Sequence, residues 1–143
     1  MDIAKLIADR SPGDIIACDA NDPVRAVIAI LAEKRIGALP VLRDGKLAGI
    51  FSERDVIYRM AEDGAACLDT QVGDVMTAPA ITVEVRAKVD EALGLMTRRR
   101  IRHLPVLDNG AMCGFISIGD LVKSRIDEVK LEAEAMRNYI QTA

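Results

Sequence analysis

Aromatic residues make up only 3% of the 143-residue chain: two Tyr, two Phe and no Trp. Nucleic-acid modules of the RRM or cold-shock kind stack bases on exposed rings, so this scarcity argues against them. There is one His, and the three cysteines (Cys18, Cys67, Cys113) are widely spaced with no Cys-x-x-Cys. A His-rich metal site within one chain is therefore excluded, no bound metal is expected, and the thiols read as reduced in a cytoplasmic protein. No apolar run approaches the ~18 residues needed to span a bilayer. The start, Met1-Asp2-Ile3-Ala4-Lys5, is too mixed for a signal peptide, so no membrane partner is expected. A basic surplus is also missing: Lys+Arg total 19 against 22 Asp+Glu, a net charge of −3, whereas a generic duplex-DNA binder carries excess positive charge. What the chain has is aliphatic mass. Hydrophobic residues reach 50%, supplied by Ala, Val, Ile, Leu and Met. That excludes intrinsic disorder and suits one compact domain, or two very small ones sharing a core.

The chain is an internal repeat. Ile36-Gly37-Ala38-Leu39-Pro40-Val41-Leu42 matches Ile101-Arg102-His103-Leu104-Pro105-Val106-Leu107 at an offset of 65 residues. Without a gap, 35–57 and 100–122 share 10 of 23 residues, including Gly45/Gly110, Gly49/Gly114, Ser52/Ser117 and Asp55/Asp120. Each unit predicts the order β-α-β-β-α. Short strands are expected over Asp14–Cys18 and Pro79–Val83. A helix follows, with Asn21 or Asp22 as N-cap and Pro23 at its start in the first unit. Val24, Val27, Ile28 and Leu31, and then Val89, Leu93 and Met96, recur at helical spacing. Ala38–Leu42 and Lys46–Phe51 form a hairpin across Arg43-Asp44-Gly45; His103–Leu107 and Ala111–Ile116 form another across Asp108-Asn109-Gly110, both with turn residues that tolerate positive φ. Second helices start at Ser52 and Ser117.

The predicted fold is α/β (α+β): two such repeats packed as a pseudo-two-fold pair, because a unit of ~55–60 residues buries too little surface alone. The division is 1–63, a linker over 64–73, 74–125, and a C-terminal helical extension over 126–143. In that extension Val122, Ile126, Val129, Ala133, Met136 and Ile140 follow a 4-3-4-3-4 spacing among many charges. The stripe packs either on its own chain or on a partner subunit.

Both units resemble CBS domains, and the chain resembles a stand-alone tandem pair, a Bateman module, over almost all of residues 1–125. The most specific element is Gly-h-h-Ser/Thr-x-x-Asp, present as Gly49-Ile50-Phe51-Ser52-Glu53-Arg54-Asp55 and as Gly114-Phe115-Ile116-Ser117-Ile118-Gly119-Asp120. The resemblance implies adenosine-containing ligands bound in clefts between the two repeats, with Asp55 and Asp120 on the ribose.

The residues agree with this on physical grounds. Ser52 and Ser117 stand where a strand gives way to a helix, whose unpaired N–H groups suit a polar or anionic ligand. An ionised carboxylate three residues on can accept two hydrogen bonds from adjacent hydroxyls. The competing reading is a capping box, with Asp bonding back to the Ser N–H. At the offset of 65, Gly37-Ala38 faces Arg102-His103, and related modules direct basic side chains there at phosphates. Arg offers a planar donor fork and His a titratable donor. The resemblance thus implies that the second cleft, with Arg102, His103, Ser117 and Asp120, takes a phosphorylated ligand, while the first, with Ser52 and Asp55, lacks those donors. Thr82 is placed to bond base or sugar, Leu104 and Pro105 to form the floor, and Ile81, Ile116 and Ala38 to complete the ligand-binding set.

No catalytic constellation is found: no G-x-S-x-G, H-E-x-x-H or P-loop, so no enzyme activity and no catalytic cofactor are expected. Binding without chemistry implies a regulator. It would take AMP, ADP, ATP or NAD(H) as its ligand, sense energy or redox state, form a homodimer and act on a target protein in trans. Two alternatives remain open: a constitutive interaction or dimerisation module with vestigial clefts, and nucleic-acid binding through Arg98–Arg102.

Overall fold

A computed structural model describes residues 1–142; the last residue of the predicted C-terminal extension lies outside them. The first unit comprises β1 (Cys18–Asp19), α2 (Val24–Lys34), β2 (Ala38–Arg43), β3 (Lys46–Ser52) and α3 (Glu53–Asp63). The second comprises β4 (Val83–Glu84), α5 (Val89–Arg99), β5 (His103–Asp108), β6 (Ala111–Ser117) and α6 (Ile118–Thr142). Two four-residue helices precede the units, α1 (Ile3–Leu6) and α4 (Val72–Val75). Much of the predicted linker is a 3-10 helix over Gly64–Asp69.

The repeat extends to hydrogen-bond register. Each unit holds one three-stranded sheet, in the orders β1-β2-β3 and β4-β5-β6. Cys18 pairs with Val41 as Val83 pairs with Val106, and Ala38 opposes Ser52 as His103 opposes Ser117. The same bulge interrupts both hairpins, between Val41 and Leu42 and between Val106 and Leu107. Both turns use positive φ, at Asp44 (53°) and Gly45 (77°) and at Asn109 (50°) and Gly110 (83°), as their residues require.

Three local expectations are corrected. The opening strands are only two residues long, because the parallel ladder to each hairpin is confined to the two residues that flank its bulge. The chain before them, including Ile16 and Ile81, lines clefts instead. Neither Asn21 nor Asp22 caps α2. The Asp22 carboxylate accepts from the Asp19 N–H (2.9 Å), Pro23 occupies the cap position, and the Val24 N–H is satisfied by the Thr70 carbonyl (2.9 Å). Cys67, within the predicted linker, is fully buried, whereas Cys113 is partly exposed. Cys18 is buried beside Asp22 and Asp19, and burial together with those charges pushes its thiol up to about 12.

The cores cross the linear division. Ile3 and Ile7 precede the first unit but pack in the core of the second, with Val83, Leu104, Val106 and Ile116. Val72, ahead of the second unit, packs in the core of the first with Val27, Leu39, Val41 and Phe51. Backbone bonds follow the same exchange. The Ile3 and Ala4 N–H groups donate to Ala87 and Val85 (both 2.9 Å), and the Val72 and Gly73 N–H groups to Asp22 (2.9 Å) and Ala20 (2.8 Å). Each unit thus completes its core with the segment leading into the other, which is how two repeats too small to stand alone become one body.

Helix α6 buries only Leu121 and Ser124. Its apolar stripe is open, rising from 43% exposure at Val122 to 67% at Ile140. The stripe therefore does not pack on its own chain.

Candidate functional site

Two clefts lie where the units meet, with volumes of about 270 and 250 Å³. Each is built from the Ser-x-x-Asp of one unit and the strand approach of the other. The Asp55 cleft gathers Ser52, Asp55 and Tyr58 from the first unit with Thr77, Ile81, Ile101 and Arg102 from the second half of the chain. The Asp120 cleft gathers Ser117, Asp120 and Phe115 with Arg10, Asp14, Ile16 and Ile36. Ala38 and His103, at the starts of β2 and β5, line both. They stand beside the serines because the hairpin register sets Ala38 opposite Ser52 and His103 opposite Ser117.

This arrangement regroups the candidate residues. Arg102 and Ile81 share a cleft with Ser52 and Asp55; neither lines the cleft of Asp120, although Arg102 borders a separate shallow depression beside Ser117. The expected inequality, in which the Ser52/Asp55 cleft lacks cationic donors, is not what the fold builds: that cleft is lined by Arg54 and Arg102, and the other by Arg10. Thr82 lines neither cleft; it borders a broader depression between the hairpin turns. Leu104 and Ile116 are wholly buried in the second core and Pro105 is buried, so none forms a cleft floor. Arg10 and Thr77 were not legible as site residues, since both sit outside the repeated motif; the swapped segments bring them in.

The carboxylates do two things at once. The Ser52 N–H donates to Asp55 Oδ2 (2.9 Å) and the Asp55 N–H to Ser52 Oγ (3.3 Å). The Ser117 N–H donates to Asp120 Oδ2 (2.9 Å) and the Asp120 N–H to Ser117 Oγ (3.2 Å). The capping box is thus present in both units. Each Asp has a second oxygen directed elsewhere. Asp55 Oδ1 accepts from the Thr77 hydroxyl (3.0 Å), and Asp120 Oδ1 accepts from the Arg10 guanidinium (3.0 Å). Partial burial works to raise the Asp120 carboxyl, but the Ser117 N–H and the Arg10 guanidinium outweigh it and hold it below the ordinary carboxylate value.

Arg102 pairs with Glu53 at the mouth of the Asp55 cleft (3.3 Å), both side chains more than half exposed. His103 stacks on Phe115, with ring centroids 5.6 Å apart and planes within 13°. Burial, reinforced by the Arg102 charge, lowers its pKa against the opposing pull of Glu53 and Asp120. A neutral imidazole on the wall between the clefts follows. Much of the remaining wall is apolar, from Ile81, Ile101 and Tyr58 in the Asp55 cleft and Ile16, Ile36 and Phe115 in the Asp120 cleft. Each cleft therefore offers an apolar slot, a helix N-terminus, a carboxylate oxygen and at least one arginine: places for a flat apolar-faced base, a sugar diol and an anion.

A CBS-domain family model matches residues 7–62 and again 72–127. The chain belongs to the CBS-domain family. Among curated proteins, it is 36% identical over 145 residues to the mitochondrial CBS domain-containing protein CBSX3 of Arabidopsis thaliana, spanning 98% of this chain and 70% of that protein. Among solved structures, it resembles a putative signal-transduction protein with CBS domains from Burkholderia ambifaria, at 40% identity and a TM-score of 0.82, covering 89% of this chain and 95% of that one. CBSX2, solved in complex with AMP, shares the fold at 24% identity and a TM-score of 0.75, covering 88% and 96% of the two chains. No helix among the described residues is long and apolar enough to cross a membrane.

Proposed function

We propose that this CBS pair is a non-catalytic regulatory module that binds adenosine-containing ligands, AMP, ADP, ATP or NAD(H), in its two clefts. The observation that carries this reading is the twofold recurrence of one donor set around cavities of about 270 and 250 Å³. That size lies just under the range of roughly 300–1,000 Å³ typical of small-molecule pockets, which favours a nucleoside or mononucleotide in each cleft over a dinucleotide lying wholly in one. The AMP-bound relative of the same fold supports the choice of ligand class. In this reading Asp55 and Asp120 take the ribose, Arg102 and Arg10 the phosphates, and Ile81, Ile101, Ile16 and Ile36 the adenine faces.

Ligand occupancy then reports energy or redox state to a target protein in trans, from a homodimer in a cytoplasmic setting that keeps all three thiols reduced. The dimer contact includes the uncovered stripe of α6. The test is a melting series with AMP, ADP, ATP, NADH and S-adenosylmethionine. A ligand at ~100 times its dissociation constant stabilises the fold by about 2.7 kcal/mol. A chain whose melting is unmoved by all five is a constitutive interaction module instead.

A further inference from the structure

The two clefts hold their ribose-facing carboxylates in different ways. Asp55 Oδ1 is met by a neutral hydroxyl, that of Thr77, while the cleft's two arginines are engaged elsewhere, Arg102 with Glu53 and Arg54 with the Arg100 carbonyl (3.0 Å). In the other cleft the arginine and the carboxylate are paired with each other: Arg10 donates to Asp120 Oδ1 at 3.0 Å and, more weakly, to Oδ2 at 3.4 Å. Glu53, the acid that occupies Arg102, has Ile118 as its counterpart at the repeat offset, so Arg10 meets no equivalent competitor from the helix start.

Resting on the adenosine reading above, we propose that Arg10 is a selectivity latch that makes the Asp120 cleft require a phosphorylated nucleoside. A ribose alone must displace a charge-assisted pair and put neutral hydroxyl donors in its place, leaving Arg10 without its anion. A nucleotide repairs both losses together, because its diol takes Asp120 as its phosphate takes Arg10. In the Asp55 cleft the two events are uncoupled, since the diol displaces only a hydroxyl and neither arginine there is held by Asp55: Arg102 is held by Glu53 and Arg54 by a backbone carbonyl. Arg10 reaches the cleft because the N-terminal segment crosses to the second unit: Ile3 and Ile7 anchor it in that unit's core, and the Ser11–Asp14 capping box fixes the turn that follows.

The experiment is calorimetric titration of AMP and of adenosine into the full chain carrying Asp55→Asn, which removes the ribose-facing carboxylate of the other cleft. Arg10→Ala is then compared with Arg10 intact. The latch predicts that AMP weakens by about tenfold or more, as expected for losing a charge-assisted contact, while adenosine binds as well as before or better. Arg10→Lys, which keeps the charge without the fork, falls between for AMP and guards against a misfolded alanine variant. Equal weakening of AMP and adenosine, or no change in either, overturns the latch while leaving the adenosine reading standing. Failure of both ligands to bind the unmodified chain overturns that reading, and the latch with it.

Discussion

At Asp120 one carboxylate oxygen closes the capping box at the start of α6 and the other meets Arg10, so one substitution tests two roles. Asp120→Ala removes the reciprocal half of the capping box, leaving the Ser117 Oγ cap, and is expected to cost about 1 kcal/mol of stability in urea unfolding. It is also expected to remove one ligand site per chain in a calorimetric stoichiometry. Asp120→Asn keeps an oxygen for the Ser117 N–H and is expected to recover the stability but not the site. An alanine variant with both sites intact would make Asp120 a cap and nothing more. Arg102→Ala, in the opposite cleft, should weaken AMP much more than adenosine at the Asp55 site; equal loss of both would argue against a phosphate contact.

Two groups shape the acid side of the stability curve. The folded pKa of His103 is lowered from 6.5 by burial first and by Arg102 second, so the unfolded chain takes up that proton first as pH falls. The stability this imidazole contributes is full above 6.5 and declines below it. The Asp120 pKa is also lowered, from 3.8, because its hydrogen bonds and Arg10 outweigh its burial. Its contribution is present above 3.8 and is lost as pH falls through the lower, folded value. Chemical denaturation at pH 7 and pH 5 should therefore show a loss that His103→Gln abolishes. An unchanged slope in that variant would mean that the imidazole is not held neutral by the fold.

Among the elements, the exchanged segments govern how the clefts are assembled. Thr77 reaches Asp55 because the chain after α4 pairs with β3, through the Ile50 N–H to the Thr77 carbonyl (3.0 Å) and the Thr77 N–H to the Ile50 carbonyl (2.9 Å). That approach requires glycine at position 49, where an added Cβ would lie 2.6 Å from the Thr77 carbonyl oxygen. Gly49→Ala must push the two segments apart, and overpacking of this kind costs roughly 1–3 kcal/mol. Ligand affinity at the Asp55 cleft should fall with stability, while the Asp120 cleft keeps its affinity. A variant as stable as the parent, with both affinities intact, would show that the contact is not needed to build the cleft.

For the whole molecule, the open stripe of α6 is the feature its own chain leaves unsatisfied. Val129 is 49% exposed and Met136 62% exposed, and their spacing is that of a two-stranded seam. The chain is expected to sediment as a dimer, and Val129→Glu with Met136→Glu to shift it toward monomer without lowering the melting temperature of the body. A parent chain that sediments as a monomer at all accessible concentrations would leave the stripe without a self-partner.

Much of this molecule is written locally. The offset of 65 residues, the β-α-β-β-α order, both hairpin turns and the Ser-x-x-Asp capping geometry follow from residue type and spacing, since turns, caps and strand alternation are satisfied within a few residues. The pairing of sites is not local. Arg102 lies 18 residues before Asp120 yet serves the other cleft, while Arg10, 110 residues away, bonds it. The reason lies in burial. Each small unit fills its core with the segment entering the other, so α1 and α4 cross over. The same crossing decides which arginine faces which aspartate, and no spacing along the chain records that choice.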